Sequence, residues 1–139
     1  MYHFIINPGA RSGRGIKIWK EQVEPALLKK GVVYRCYFSE KPGDVARLAS
    51  EILASASEFP VPMIILGGDG TVNEALQGIS DTSKAILGYI PTGSSNDLAR
   101  DLQLPKSASA ALDLILKKGS AKPMDLGTVI YPDGETRRF

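Results

Sequence analysis

The fold follows from one stretch of the sequence, Met63-Ile64-Ile65-Leu66-Gly67-Gly68-Asp69-Gly70-Thr71-Val72-Asn73-Glu74. Its four leading apolar residues predict a short buried strand, and the three glycines after them predict a tight loop. Glycine has no Cβ, so the backbone can turn sharply or take positive φ there. Residues 71–79 have helix-forming character. A strand, glycine loop and helix in this order point backbone N–H groups and the positive end of a helix at one place, which suits a phosphate.

Asp69 is flanked by glycines within this loop. A glycine pair between a strand and a helix is in most sequences only a turn. A carboxylate buried in such a loop, however, costs free energy unless a metal, a cation or several donors meet it. Asp69 is therefore predicted to have a functional role.

Two motifs together resemble one family. Gly67 to Thr71, with Asn73 and Glu74, resembles the nucleotide-binding loop of the diacylglycerol kinase catalytic domain family, which includes sphingosine kinases and bacterial lipid kinases. NAD kinases and phosphofructokinases carry a similar loop. The second motif separates them, because Pro91-Thr92-Gly93-Ser94-Ser95-Asn96-Asp97-Leu98-Ala99-Arg100 resembles the lipid-kinase pattern P-x-G-T-x-N-D-[LF]-A-R. Ser94 stands where the family usually has threonine, and it retains the hydroxyl.

Two other segments resemble the family at single positions. Residues 7–15 form a second glycine-rich stretch after the first predicted strand, and Asn7 fits the family's N-P segment there. Arg11 and Arg14 in this stretch could close over a polyphosphate. Ser39 follows the second predicted strand, where similar lipid kinases have a threonine or serine that contacts the nucleotide. A turn-forming role for Ser39 is an equal alternative.

Alternation of strands and helices predicts the α/β class, with a mainly parallel sheet between two helical layers. The resemblance makes this α/β/α sandwich the N-terminal domain of a lipid-kinase-type fold, akin to NAD kinase and phosphofructokinase. Because the loops after parallel strands leave one edge, all the loops named above are expected to converge. The predicted strands are 2–6, 32–38, 63–66 and 85–90, and the predicted helices include 16–30, 71–79 and 108–118. Pro25 predicts a kink or a fresh first turn within the helix 16–30.

The whole chain, residues 1–139, is expected to form one nucleotide-binding domain. Asp125 to Tyr131 predicts a strand and Pro132 to Glu135 a turn, so that a hairpin is cut off near residues 132–139. The resemblance implies a further, mostly β domain that lines the lipid cleft and carries the general base and metal-binding positions. That domain is absent from these residues, and the fragment alone is expected to be inactive.

The resemblance also implies a reaction. ATP with Mg²⁺ would transfer its γ-phosphate to a lipid hydroxyl such as that of diacylglycerol, and Asp69 would orient Mg²⁺, the γ-phosphate or the acceptor hydroxyl. Metal ligands stay unassigned. The alternatives are an NAD kinase-like phosphotransferase and a non-catalytic nucleotide-binding module that regulates a partner. The expected nucleotide-binding residues are Asn7, Ser39, Gly67, Gly68, Asp69, Gly70, Thr71, Val72, Asn73, Glu74, Thr92, Gly93, Ser94, Asn96 and Asp97.

Composition limits the remaining possibilities. The chain has 139 residues, a formal net charge of +2 and a single cysteine, which is ordinary for a cytoplasmic globular domain. No apolar run approaches the roughly 18–20 residues of a membrane span, although a weakly basic chain allows peripheral contact with the inner face of a membrane. Basic residues are scattered and not interleaved with aromatics, so nucleic acid is not an expected partner. Exposed apolar surface would allow a homo-oligomer.

Overall fold

A computed structural model describes residues 1–93, 97–117, 128–130 and 136–138. Within these ranges, four strands form one sheet in the order β2-β1-β3-β4, and every neighbouring pair is parallel. The strands are β1 (Tyr2–Ile6), β2 (Tyr34–Phe38), β3 (Val61–Gly67) and β4 (Ala85–Pro91). The predicted parallel sheet is confirmed.

Helices connect these strands and cover the sheet. They are α1 (Ala10–Ile18), α2 (Glu24–Lys30), α3 (Asp44–Ser55), α4 (Asp69–Gln77), α5 (Asp97–Asp101) and α6 (Ala108–Leu116). A π-helical turn (Trp19–Val23) joins α1 to α2, and a 3₁₀ turn (Thr82–Lys84) precedes β4. No helix in the described part of the chain is long and apolar enough to cross a bilayer.

Both faces of the central strands are buried, which explains the continuous apolar run in β3. Ile5 and Ile65 are fully buried on the face that packs against α3 and α4. Phe4 and Ile64 are buried on the opposite face, against α2 and α6. Successive residues of a strand point to opposite faces, so two hydrophobic cores form around one sheet. The predicted α/β/α layering is therefore confirmed.

The predicted single helix 16–30 is divided in the structure. Its first part starts earlier, at Ala10, and a π-helical turn follows it. Proline has no N–H to donate, and Pro25 lies in the first turn of α2, where that donor would have no partner within the helix. The predicted fresh first turn at Pro25 is thus confirmed. The predicted loop 7–15 is wrong in its length, since only residues 7–9 precede α1.

Two short strands, β5 (Thr128–Ile130) and β6 (Thr136–Arg138), pair antiparallel. They flank the predicted turn 132–135, and their pairing supports the predicted hairpin. The turn itself lies outside the described residues, as does the predicted segment 125–127 before β5. The extent of the domain along the chain stays a prediction.

The two neighbouring leucines of α2 provide a matched test of this packing. Leu27 is fully buried and Leu28 is 67% exposed. We expect Leu27→Ala to lower the free energy of unfolding by about 2–5 kcal/mol, because it removes buried methyl groups and leaves a cavity. Leu28→Ala should change it by less than about 0.5 kcal/mol. Urea unfolding measures both, and equal losses for the two variants would contradict the described orientation of α2.

Candidate functional site

Three predicted site residues lie at the same edge of the sheet because each continues the strand pairing by one residue. The N–H of Asn7 donates to Leu66 O at 2.9 Å, and that of Ser39 donates to Ile6 O at 3.0 Å. The N–H of Thr92 donates to Gly67 O at 2.8 Å. The carboxyl ends of β1, β2 and β4 are therefore fixed beside that of β3, as the sequence predicted. Such an edge is where ligands bind in open parallel sheets.

A cleft of about 1250 Å³ opens at this edge. The segment after β1, the turn between β2 and α3, and one face of α4 form its walls. Its lining residues are Asn7, Pro8, Gly9, Ser39, Glu40, Lys41, Pro42, Gly43, Ala46, Gly70, Asn73, Glu74 and Gln77. Five of the predicted nucleotide-binding residues are thus brought together in one cleft: Asn7, Ser39, Gly70, Asn73 and Glu74.

Helix α4 divides its residues between the cleft and the core. Gly70, Asn73, Glu74 and Gln77 line the cleft at the spacing i, i+3, i+4 and i+7 of one helical face. Gln77 was missed by the sequence analysis, although helical periodicity counted from Gly70 would have found it. Its Nε2 donates to Asn73 O at 3.3 Å, one turn earlier.

The turn between β3 and α4 is tighter than the sequence suggested. Helix α4 starts at Asp69, so Gly68 alone separates it from β3, and the expected start at residue 71 is wrong. None of the glycines 67, 68 and 70 has positive φ, so of the two expected reasons for them, a sharp turn or positive φ, only the sharp turn applies. Gly67 is needed for close packing instead, because a Cβ there would lie 2.7 Å from Thr71 Cβ.

Asp69 joins the two sequence motifs. Its Oδ1 accepts a hydrogen bond from Tyr89 Oη at 3.0 Å, and its Oδ2 accepts one from the N–H of Leu98 in α5 at 3.1 Å. Burial raises the pKa of Tyr89 well above its usual value, and the bond to Asp69 raises it further, so this hydroxyl stays a donor at neutral pH. Of the three partners considered for this carboxylate, a metal, a cation or hydrogen-bond donors, two donors are therefore present. Asp69 does not line the cleft but lies between α4, β4 and α5.

The glycine turn and the second motif also approach each other through backbone. A Cβ on Gly68 would lie 3.5 Å from Gly93 Cα. Thr92 is 2% exposed, and its Oγ1 has no hydrogen-bond partner among the described residues. On the other side of the turn, Asn7 Nδ2 donates to Thr71 Oγ1 at 3.3 Å. These contacts place the start of α4 between the segments that follow β1 and β4.

Other predicted site residues have different surroundings. Val72 is 7% exposed and packs in the core, so its side chain does not line the cleft. The N–H groups of Thr71 and Val72 donate to Gly68 O at 3.0 and 3.3 Å, which leaves neither for a phosphate. Asp97 is exposed and pairs with Arg100. Ser94 and Asn96 lie outside the described residues.

The turn between β2 and α3 is held by carboxylates. Asp44, 4% exposed, accepts the N–H groups of Glu40 at 2.8 Å and Lys41 at 3.1 Å through Oδ2. Arg47 lies 3.5 Å from its Oδ1. The Glu40 N–H contributes most to lowering the pKa of Asp44, and the Lys41 N–H and Arg47 lower it further. Glu74 accepts the N–H of Gly43 in the same turn.

Mg²⁺ is an expected cofactor, and the described residues could supply only one or two of its ligands. No three His, Cys, Asp or Glu side chains come together in the described ranges. Protein-bound Mg²⁺ commonly uses one or two carboxylates, with water and substrate phosphates completing its octahedron. Asp69 retains carboxylate lone pairs beyond those that accept from Tyr89 and Leu98. It therefore fits as one such ligand.

The sequence of this chain is similar to those of known proteins. Residues 1–129 match the family described as the diacylglycerol kinase catalytic domain. The Bacillus subtilis (strain 168) protein "Putative lipid kinase YtlR" is 32% identical over 136 residues, covering 94% of this chain and 42% of that protein. A diacylglycerol kinase of Staphylococcus aureus (strain JH9) is 36% identical over 117 residues, covering 81% of this chain and 36% of that protein.

A solved structure is similar as well. It is described as "A putative diacylglycerol kinase from Bacillus anthracis str. Sterne", with a TM-score of 0.67 and 28% sequence identity. The match covers 82% of this chain and 40% of that one. This chain therefore spans less than half the length of each of the three proteins.

The neighbouring glycines 67 and 70 provide a test of the tight turn. We expect Gly67→Ala to lower the free energy of unfolding by about 1–3 kcal/mol, because its Cβ overlaps Thr71. Gly70 lies in α4, and a Cβ added there would have no neighbouring atom within 4 Å. Gly70→Ala should therefore raise the free energy of unfolding by about 0.5–1 kcal/mol. Urea unfolding decides, and a shift of the same sign in both variants would contradict this packing.

Asp44 provides a pH-dependent test. Since its folded pKa is lowered, its stabilising contribution is present above the unfolded value of about 4 and is lost as pH falls through the folded pKa. The difference in unfolding free energy between wild type and Asp44→Asn should be constant from about pH 5 to 7 and shrink below about pH 4. Urea unfolding across this range measures it. A difference that persists unchanged to about pH 2 would show that the charge has no such role.

Proposed function

The chain belongs to the diacylglycerol kinase catalytic domain family, and we propose that its 139 residues form the ATP-binding part of a lipid kinase. The γ-phosphate of ATP would pass to a lipid hydroxyl such as that of diacylglycerol. The names of the relatives support a kinase acting on lipid. We propose ATP as the donor and diacylglycerol as the acceptor on the resemblance of the two motifs to those of lipid kinases.

One observation carries the proposal. Five residues expected to bind nucleotide, three from the first kinase-like motif and two from the segments that follow β1 and β2, line the same cleft at the carboxyl edge of the sheet. Its volume of about 1250 Å³ is ample for a nucleotide. The neutral polar side chains of Asn7, Ser39 and Asn73 provide hydrogen-bond donors and acceptors in its walls.

Phosphoryl transfer depends on positioning and charge neutralisation more than on covalent chemistry from the protein. The start of α4 supplies a suitable place, because the N–H groups of the first helical residues, Asp69 and Gly70, have no partner within the helix. Gly68 and Gly93 keep this place clear of side chains. The phosphates would therefore lie at the start of α4.

Asp69, at the start of α4 and next to the cleft residue Gly70, is the proposed catalytic residue. Tyr89 and the N–H of Leu98 fix both of its oxygens, so its orientation is set before a ligand arrives. Its remaining lone pairs would orient Mg²⁺ or the transferred phosphate. Bound Mg²⁺ would neutralise charge on the phosphates.

The NAD kinase-like and purely regulatory alternatives gain no support from a specific structural feature.

The lipid would be bound by residues outside this chain. The three relatives described above are each more than twice as long as the part that this chain matches. We therefore propose that the acceptor site, with its general base, belongs to the remainder of a longer protein, which makes peripheral contact with the membrane that holds the lipid.

Calorimetric titration of the chain with Mg·ATP, Mg·ADP and NAD tests the nucleotide proposal. We expect ATP and ADP to bind at one site and Asp69→Asn to weaken Mg·ATP binding about tenfold, since a charged ligand group is lost. Asp113→Asn is the matched control, because Asp113 is exposed and pairs with Lys30 on α2. It should bind like wild type.

Two outcomes would contradict the proposal. One is heat from NAD but none from ATP or ADP. The other is equal Mg·ATP affinity for wild type and Asp69→Asn, which would remove the role assigned to Asp69.

Transfer of labelled phosphate from ATP to diacylglycerol vesicles, measured on the longer protein, tests the acceptor.

A further inference from the structure

In the turn between β2 and α3, residues 39–43, every backbone N–H donates a hydrogen bond to another group of the protein. The N–H of Ser39 donates to Ile6 O, and those of Glu40 and Lys41 donate to Asp44 Oδ2. Proline has no N–H at position 42, and the N–H of Gly43 donates to Glu74 Oε1. This turn forms one wall of the cleft, so that wall offers no unpaired backbone N–H to a ligand phosphate.

Among these contacts, the one from Glu74 links the turn to α4. It joins the first turns of α4 to a residue 31 positions earlier. Gly43 has φ of 92° and precedes α3, so its conformation is one that other residues rarely adopt. The Glu74 carboxylate therefore holds the turn at Gly43, its last residue, where glycine gives the backbone most conformational freedom.

The charge of Glu74 also argues against a phosphate contact. A carboxylate facing a triphosphate would repel it unless a cation lay between them. The Gly43 N–H instead provides Glu74 with a donor, as an oxyanion requires when it is partly buried. No group of three candidate metal ligands includes Glu74 among the described residues.

We propose that Glu74 is a positioning residue, which orders the wall formed by residues 39–43 before nucleotide binds and does not contact phosphate or Mg²⁺. This inference rests on the proposed function and departs from the sequence-based expectation that Glu74 contacts ATP. Ordering a flexible wall on binding would cost conformational entropy and weaken nucleotide affinity. Because the hydrogen bond between Glu74 and Gly43 orders the wall before binding, it strengthens nucleotide binding without touching the ligand.

Two substitutions separate positioning from charge. In Glu74→Gln the amide oxygen can still accept the Gly43 N–H, whereas Glu74→Leu has similar size and no acceptor. Glu58→Leu is the matched control, since Glu58 is exposed and does not line the cleft. Amide hydrogen exchange at Gly43 is followed by NMR without ligand, and dissociation constants for Mg·ATP and for ADP without metal are measured by calorimetry.

We expect Glu74→Leu to accelerate Gly43 exchange about tenfold and to weaken Mg·ATP and metal-free ADP by the same factor, about tenfold, which corresponds to loss of one hydrogen bond to a charged group. Glu74→Gln should restore both properties to within about threefold of wild type. Glu58→Leu should match wild type. Equal weakening of both ligands is expected because the wall, and not the metal, is disturbed.

The proposal is overturned if Glu74→Gln weakens Mg·ATP as strongly as Glu74→Leu while metal-free ADP is unaffected, since that result identifies a charge or metal contact. It is also overturned if Gly43 exchanges equally fast in wild type and Glu74→Leu. A wild-type chain that binds no nucleotide would instead contradict the proposed function. Gly43 exchange needs no ligand and would still decide whether Glu74 orders the turn.

Discussion

The connection between β3 and α4 is a single residue, Gly68, and the site depends on this constraint. So short a connection requires α4 to start directly above the end of the central strand, with Thr71 packed against Gly67. One face of the helix then enters the core through Val72 and Leu76, and the adjacent face borders the cleft. With a longer loop, α4 would not be held in the position where it can pack in the core and border the cleft at the same time.

Both acidic residues of the central motif accept backbone N–H groups from other segments. Asp69 holds the start of α5 through Leu98, and Glu74 holds the turn before α3 through Gly43. The motif thus orders its neighbours on both sides of α4. The groups left for a ligand are then neutral amides and hydroxyls, the first N–H groups of the helix and the remaining lone pairs of Asp69, and Lys41 is the one basic residue among those described as lining the cleft.

Sequence patterns predicted the sheet, the parallel direction of its strands and the convergence of loops, because buried parallel strands leave continuous apolar runs such as 63–66. They failed where tertiary packing outweighs local propensity. Glycines at 13 and 15 indicated a loop, yet α1 includes both, although Ser12 and Gly13 within it have positive φ. Neither the Tyr89 bond to Asp69 nor the Gly43 bond to Glu74 has a local signal, since each joins residues distant in sequence.

In the proposed function, nucleotide occupies the cleft at the carboxyl edge of the sheet. NMR mapping of backbone amide shifts on addition of Mg·ADP tests it most directly. We expect the largest shifts among the non-proline residues of 7–9, 39–43 and 68–77, with little change at Val33 and Phe59 near the opposite ends of the strands. Shifts concentrated at that opposite edge, or none at saturating nucleotide, would contradict it.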